Sequence, residues 1–222
     1  MSIPAQLSNS DINTLVDVMN FISSQRKYRY LEIGSYLGGS LQWHLNNPDC
    51  VEIVSVDKRA TDKINDERQI DYRYTVTTQD MLDGLKNNNL SIDKLICVDG
   101  TVDDVPADYK FDLIFIDGEH TNTAVFHDAI TSLNHLEDSA IMLFHDDWIV
   151  YKGIEKIKNH LDNTNKKFSL FKIAFCDISA LVFGNDVETF TKWVENRTVP
   201  WNAHVQGAQW KLDLEIRQNT KG

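Results

Sequence analysis

The stretch Tyr30–Leu45, YLEIGSYLGGSLQWHL, reads as a strand, a tight turn and a helix. An apolar run closes at Glu32–Ile33, a glycine–serine segment follows, and a new periodic segment starts near Gly39. Glycine at 34 and 38 lets the backbone adopt turns closed to other residues and lie against a ligand. The helix N-terminus that follows favours a carboxylate or other anion. A phosphate-cradling loop needs G-x-x-x-x-G-K-[ST], and no lysine follows these glycines. A dinucleotide site needs G-x-G-x-x-G, and the spacing here is wider. Glu32, beside the turn, suits a cationic ligand group better than a pyrophosphate.

Outward from this unit, Ile12, Leu15, Val16, Met19 and Ile22 recur at helical spacing from Asp11 to about Ser23, with Ser10 as the N-cap. YRYLEIG (28–34) is the first strand, and VEIVSVD (51–57) a β-branched strand ending in an acid. KLICVDG (94–100) reads as a buried strand, FDLIFIDGEH (111–120) as a stronger one, and SAIMLFHDDW (139–148) as one ending in two aspartates. Helices are expected from near Asn122 and along Ile154, Ile157 and Leu161. FSLFKIAF (168–175) and SALVFG (179–184) have no helix between them, which predicts an antiparallel hairpin. A last amphipathic helix carries Val187, Phe190, Trp193 and Val194, and a Trp-containing extension follows. Residues 58–93 are less regular: a helix near Thr61–Gln69, a short strand at YRYTVT (72–77) and a helix around Gln79–Lys86 are expected.

Strands alternating with helices imply an α/β fold, a Rossmann-like, doubly wound, mostly parallel sheet of about seven strands, helices on both faces and the last pair antiparallel. Residues 1–222 read as a single domain: an N-terminal helix (1–27), a core (28–184) with an insertion at 58–93, and a C-terminal helix and tail (185–222). Ligands of such sheets bind beyond the carboxyl ends of the strands. Glu32, Asp57, Asp99, Asp117, Asp146 and Asp147 all fall there.

With 222 residues, 42% hydrophobic, the chain can bury a sizeable core. Its net charge of −11 argues against a nucleic-acid partner, which needs clustered Lys and Arg. No apolar run is long enough for a bilayer span and the N-terminus lacks a signal-peptide pattern, so no membrane partner and a cytoplasmic location are expected. Cys50, Cys97 and Cys176, odd in number and far apart, read as free thiols.

LEIGSYLGGS resembles motif I, E-x-G-x-x-x-G-x-S, of class I S-adenosylmethionine-dependent methyltransferases, nearest the catechol O-methyltransferase type. The resemblance continues through Asp57, Asp99–Gly100, FIDGEH and FHDDW, covering roughly Tyr28 to Gly184 outside the 58–93 segment. FIDGEHTNTAVFHD…HDDW is similar to the branch that includes sugar O-methyltransferases. The resemblance implies S-adenosylmethionine as cofactor. Ser35, Tyr36 and Ser40 would serve its carboxylate, Gly34 and Gly38 its main-chain contact, Glu32 its cationic methionine end, Asp57 its ribose, Asp99 and Gly100 its adenine, with Asp117 beside it.

Three carboxylates converging in one cleft repel one another unless a cation neutralises them, and all-oxygen ligation suits Mg²⁺. The resemblance places such an ion on Asp117, Asp146 and Asp147, where the catechol type has Asp-Asn at the last two positions and the sugar branch Asp-Asp. The hydroxyl's proton needs an acceptor. His120 stands where the catechol type has a lysine, and Glu119 where the sugar branch has an acid; His120, with its near-neutral ordinary pKa, is the slightly favoured base. The expected activity is Mg²⁺-dependent O-methylation of a small hydroxylated molecule, a sugar or a catechol-like phenol. The alternatives are a metal-dependent hydroxylase on the same fold and a non-catalytic binding or assembly protein. His145 reads as a satisfied histidine or as a group facing adenine or metal. For Trp148, Trp201 and Trp210, pocket wall, core and contact within a homo-oligomer all stay open.

Overall fold

In the computed structural model, which describes residues 3, 5–59, 64–72 and 75–220, the quoted stretch is strand β1 (Tyr28–Ile33), a turn, and helix α2 (Leu41–Asn46), preceded by α1 (Asn9–Ser23). β2 (Cys50–Asp57), the two-residue strands β3 (Ile64–Asn65) and β4 (Asp71–Tyr72), α3 (Thr78–Asn87) and β5 (Leu95–Asp99) follow. Then come β6 (Phe111–Ile116), α4 (Asn122–Ser132), β7 (Leu136–Phe144) and α5 (Tyr151–Asp162). The chain finishes with β8 (Phe168–Ile173), β9 (Ser179–Phe183), α6 (Asp186–Trp193), β10 (Thr198–Val199) and α7 (Trp201–Asn219).

Eight strands form the main sheet in the order β10-β8-β9-β7-β6-β1-β2-β5. β5, β2, β1, β6 and β7 run parallel, and the β8–β9 hairpin joins β7 antiparallel, as expected from the missing helix. The eighth strand, β10, is a two-residue edge too short to leave a pattern in sequence. Alternate residues of the central strands serve the two faces: Ile114, Ile116, Met142 and Phe144 enter one core, and Leu113, Phe115, Ile141 and Leu143 the other. The first core is covered by α4, α5 and α7, the second by α1, α2, α3 and α6. Because both faces are buried, these strands are continuously apolar.

Register builds the functional rim. Ile33 pairs with Val56 and with Ile116, and Ile116 with Phe144, so the residues that follow, Gly34, Asp57, Asp117 and His145, stand in one row.

Several expectations are corrected. The N-cap of α1 is Ser8, not Ser10; its hydroxyl accepts from the Asp11 N–H, and Asp11 accepts from the Ser8 N–H, a reciprocal capping box. β5 is a sheet edge, not a buried strand: Ile96 is 38% exposed, because among the described residues no strand pairs on its far side. Over the described part of Thr61–Gln69 there is no helix; residues 64–65 pair with 71–72 around a turn, and the remainder of that expectation lies outside the described residues. In YRYTVT only Tyr72 is strand, residues 75–77 have no regular structure, and 73–74 lie outside the described residues. The extension after α6 is a 19-residue helix whose only fully buried residues are Ala208 and Leu212, so its stripe is too narrow to show as a period.

Trp148 belongs to the first core, with the Lys211 ammonium 3.5 Å from its ring centre, Trp201 packs against that core, and Trp210 is exposed. Cys50, Cys97 and Cys176 are free. Among the described residues no helix is long and apolar enough to cross a membrane.

Candidate functional site

The cleft lies over the carboxyl ends of β1, β2, β6 and β7, with an empty volume of about 1160 Å³. Gly34 opens its floor at φ +93° with its N–H on the Val56 carbonyl (2.8 Å), and Gly38 turns the chain at φ +75°. A Cβ at Gly34 would overlap the main-chain carbonyl of Asp117, so the β1 turn and the β6 end touch backbone to backbone. That closeness is why glycine is required there.

Ser35, Tyr36 and Ser40 line the cleft, whereas Gly38 shapes the turn without lining it. Ser35 is held by the Ser55 hydroxyl at 2.7 Å. Glu32 sits beneath the turn, fully buried, not at the cleft surface. It accepts from Tyr30 Oη (2.5 Å) and Ser40 Oγ (2.6 Å), and so fixes Ser40 in the cleft lining from below. Burial pushes its pKa up to about 7, against the pull of those hydrogen bonds. A carboxyl raised in the folded state contributes most stability below its unfolded pKa and loses it as pH rises to the folded value. Glu32→Gln is therefore expected to gain on the parent by about 3 kcal/mol between pH 5 and pH 8, read by urea unfolding at both pH values. A difference independent of pH would refute the assignment.

Asp57 ends β2 and accepts from the N–H of Tyr36 (2.8 Å) and of Arg59 (3.0 Å), which fixes its carboxylate at the cleft wall. The Arg59 side chain lies over it, Nη1 at 3.4 Å from Oδ2, and also donates to the Tyr36 carbonyl. Gly100 lines the cleft with Thr101, but Asp99 does not: its exposed side chain accepts from Thr78 Oγ1 outside the cleft. Edge strand β5 thus ends with the Asp99 side chain facing solvent, and of this pair it is Gly100 that stands in the cleft lining.

Opposite the turn, Asp117, Glu119, His120, His145 and Asp146 close the cleft. Asp117 Oδ1 is 2.7 Å from His145 Nδ1 and 3.8 Å from His120 Nε2. Asp146 Oδ2 is 3.4 Å from His120 Nε2 and 3.8 Å from His145 Nδ1. The far side of His145 meets Asp11 from α1, with Nε2 3.6 Å from Oδ2. Burial disfavours charge on Asp11, Asp117, His120 and His145, but their pairing wins. The pKa of His145 is raised well above its ordinary value by Asp117, Asp11 and Asp146, and that of His120 is raised by Asp117 and Asp146. The pKa of Asp117 is lowered by both histidines and that of Asp11 by His145 and Ser8. Glu119 is held differently, accepting from Thr121 Oγ1 at 3.0 Å with the Lys58 ammonium 3.5 Å away.

The ion site expected from the sequence needs three converging carboxylates, and the structure brings together two. Asp147 turns away, fully buried, onto Lys172 Nζ at 2.7 Å and the Ser179 hydroxyl. Among the described residues no group of three or more His, Cys, Asp or Glu is arranged to hold a metal ion. The donors present do not fit the three-carboxylate ion, and the charge of Asp117 and Asp146 is met by imidazoles instead.

Sequence reasoning missed Asp11, which left only a capping signal, and Arg59. It also missed Asp128, a cleft residue whose pKa burial lifts to about 6 against the pull of His127, and the segment Ala5–Leu7 along the cleft. His145 is indeed satisfied, but by the acids of the cleft itself.

Residues 31–146 match a protein-family profile described as a methyltransferase domain. Among solved structures, the fold is similar to that of the O-methyltransferase TomG from Streptomyces achromogenes, involved in tomaymycin synthesis and in complex with SAM. That match has 12% identity and a TM-score of 0.55, over 82% of this chain and 84% of that one. An O-methyltransferase from Bacillus cereus in complex with SAH gives 14% identity and a TM-score of 0.57, over 82% and 84%. The SAH-bound methyltransferase PaMTH1 of Podospora anserina gives 17% and 0.54, over 80% of each chain. No curated protein sequence matches the chain.

Proposed function

The chain belongs to the methyltransferase-domain family, and from that premise we propose that it transfers the methyl group of S-adenosylmethionine to a hydroxyl of a small molecule, with His120 taking the proton. The observation that carries this reading is one cleft holding both the Gly34–Ser40 turn with Asp57 on one wall and the His120–Asp117–Asp146 cluster on the other. S-adenosylmethionine, when bound, supplies an electrophilic methyl on a sulfonium, and its transfer to oxygen releases a neutral thioether and one proton.

The chain's own residues supply position and proton transfer. The tight turn at Gly34 leaves main chain exposed to the ligand, Ser35 and Ser40 present hydroxyls beside the N-terminus of α2, and Asp57 offers two acceptor oxygens for ribose hydroxyls. His120, facing two acids, is stabilised as the imidazolium that forms when it accepts the acceptor's proton. Glu119 is less suited, since its carboxylate is already engaged, accepting from Thr121 Oγ1 at 3.0 Å with the Lys58 ammonium 3.5 Å away. A cleft rich in acids suits a neutral or cationic hydroxylated small molecule and not a nucleic acid.

Labelled methyl transfer to a panel of dihydroxyphenols and free sugars tests the reading, together with calorimetry of S-adenosylhomocysteine. No binding at millimolar ligand would sink it. Asp57→Ala is expected to weaken that binding by about a hundredfold, the loss of two charge-assisted hydrogen bonds. Mg²⁺ dependence, the finer expectation from the sequence, is not carried into this proposal, because Asp147 is engaged elsewhere. Assays with and without excess chelator are expected to agree within about twofold; a large loss restored by Mg²⁺ would return an ion to Asp117 and Asp146.

A further inference from the structure

Asp146 and Asp147 are adjacent in sequence yet serve opposite sides of the β7 end. Asp146 lies in the left-handed region at φ +49°, a conformation that aspartate tolerates better than most residues. Its carboxylate enters the cleft, with Oδ2 3.4 Å from His120 Nε2, and the next side chain is thrown back into the protein. There Asp147 is fully buried; its Oδ2 meets Lys172 Nζ at 2.7 Å and the Ser179 hydroxyl, and its Oδ1 lies 3.5 Å from His204 Nε2 of α7. Lys172 and Ser179 face each other across the β8–β9 hairpin, so one rung of that hairpin grips one carboxylate.

The grip extends to the cleft by a second route. The Asp147 N–H donates to the Asp177 carbonyl (3.2 Å), and the Asp177 N–H donates to Asp11 Oδ1 (2.7 Å). Asp11 Oδ2 in turn faces His145 Nε2 at 3.6 Å. Hairpin, α1 and the β7 end are thus linked to His145 of the cleft's acid–imidazole cluster, although Lys172 and Asp147 do not line the cleft.

We propose that the buried Lys172–Asp147 pair is a positioning device for the reaction, holding Asp146 in its left-handed conformation so that Asp146 and His120 face the substrate. This inference rests on the methyl-transfer reading for its purpose. A buried ion pair is often replaced by apolar residues without loss of stability, whereas removing one partner leaves an uncompensated charge. The informative variant is therefore the double replacement Asp147→Leu with Lys172→Met, beside the charge-keeping Lys172→Arg.

The double variant is expected to melt somewhat below the parent, because Lys172 Nζ also donates to the Cys176 and Ile178 carbonyls, yet to stay folded and to bind S-adenosylhomocysteine within about twofold, since the turn and Asp57 are untouched. Its His120 and His145 imidazole ¹⁵N signals, recorded at one fixed pH, are expected to shift. Turnover of whichever panel compound is accepted should fall about a hundredfold at unchanged KM for S-adenosylmethionine, the cost of a misplaced group near the chemistry. Lys172→Arg, which keeps the charge, should retain both the parent's signals and its turnover. Unchanged imidazole signals in a folded double variant would overturn the proposal, as would loss of cofactor-product binding together with turnover, which would make the pair a support for the whole fold. The imidazole and binding readouts need no acceptor, so they stand or fall separately from the methyl-transfer reading.

Discussion

Gly34→Ala is expected to destabilise the protein by about 4 kcal/mol or more, and to abolish S-adenosylhomocysteine binding in whatever fraction still folds. Two costs combine. An alanine at φ +93° is held in a region that L-residues avoid. Its methyl would also overlap the Asp117 main-chain carbonyl, which cannot retreat because the Asp117 N–H is bonded to the Ile33 carbonyl at 2.8 Å. For a chain of this length the melting temperature should fall by about 10 °C. Gly38→Ala is the control. It shares the positive φ, but its added methyl meets the flexible Met81 side chain at 3.1 Å, so a smaller loss is expected. Equal melting temperatures for parent and Gly34→Ala would show that the β1 and β6 ends do not pack as described.

His120→Gln is expected to lower kcat by a factor of about 10² to 10⁴ while leaving S-adenosylhomocysteine affinity unchanged, because a general base acts only in the chemical step. The pH profile supplies the sign. A base must be unprotonated, and Asp117 and Asp146 raise the His120 pKa above its ordinary value despite burial. The parent's rate should therefore climb with pH through an apparent pKa above about 6.5, and the glutamine variant should lack that rise. Glu119→Gln should cost less than about tenfold. If Glu119→Gln lost the rate and His120→Gln kept it, the proton would belong to Glu119.

The two predictions draw on different levels of the protein. Gly34 was marked by sequence, since a strand, a glycine turn and a helix follow one another within a few residues. The conformation demanded there is local, and so is the signal. Gly100 and Asp57 were legible for the same reason, each standing at the end of a recognisable apolar run. Asp11 was not legible as a partner of the cleft's His145: its capping role is local, while its contact with His145 depends on where α1 lands on the sheet. Asp99 shows the reverse case. It closes a strand like the other acids, but β5 is the sheet edge, and its side chain turns to Thr78 instead of the cleft.

By itself the sequence determined the alternation of strands and helices, the antiparallel end of the sheet and the row of acids at the strand ends. All of these follow from short-range patterns of apolar residues and turn formers. Only the tertiary structure decided which acids share a cleft. Asp146 and Asp147 carry the same charge and the same local context, yet a left-handed turn and the buried ammonium of Lys172 send one to the cleft and the other into the core. The direction of a side chain depends on partners distant in sequence, and it was this direction that replaced a three-carboxylate ion site by a cluster of acids and imidazoles.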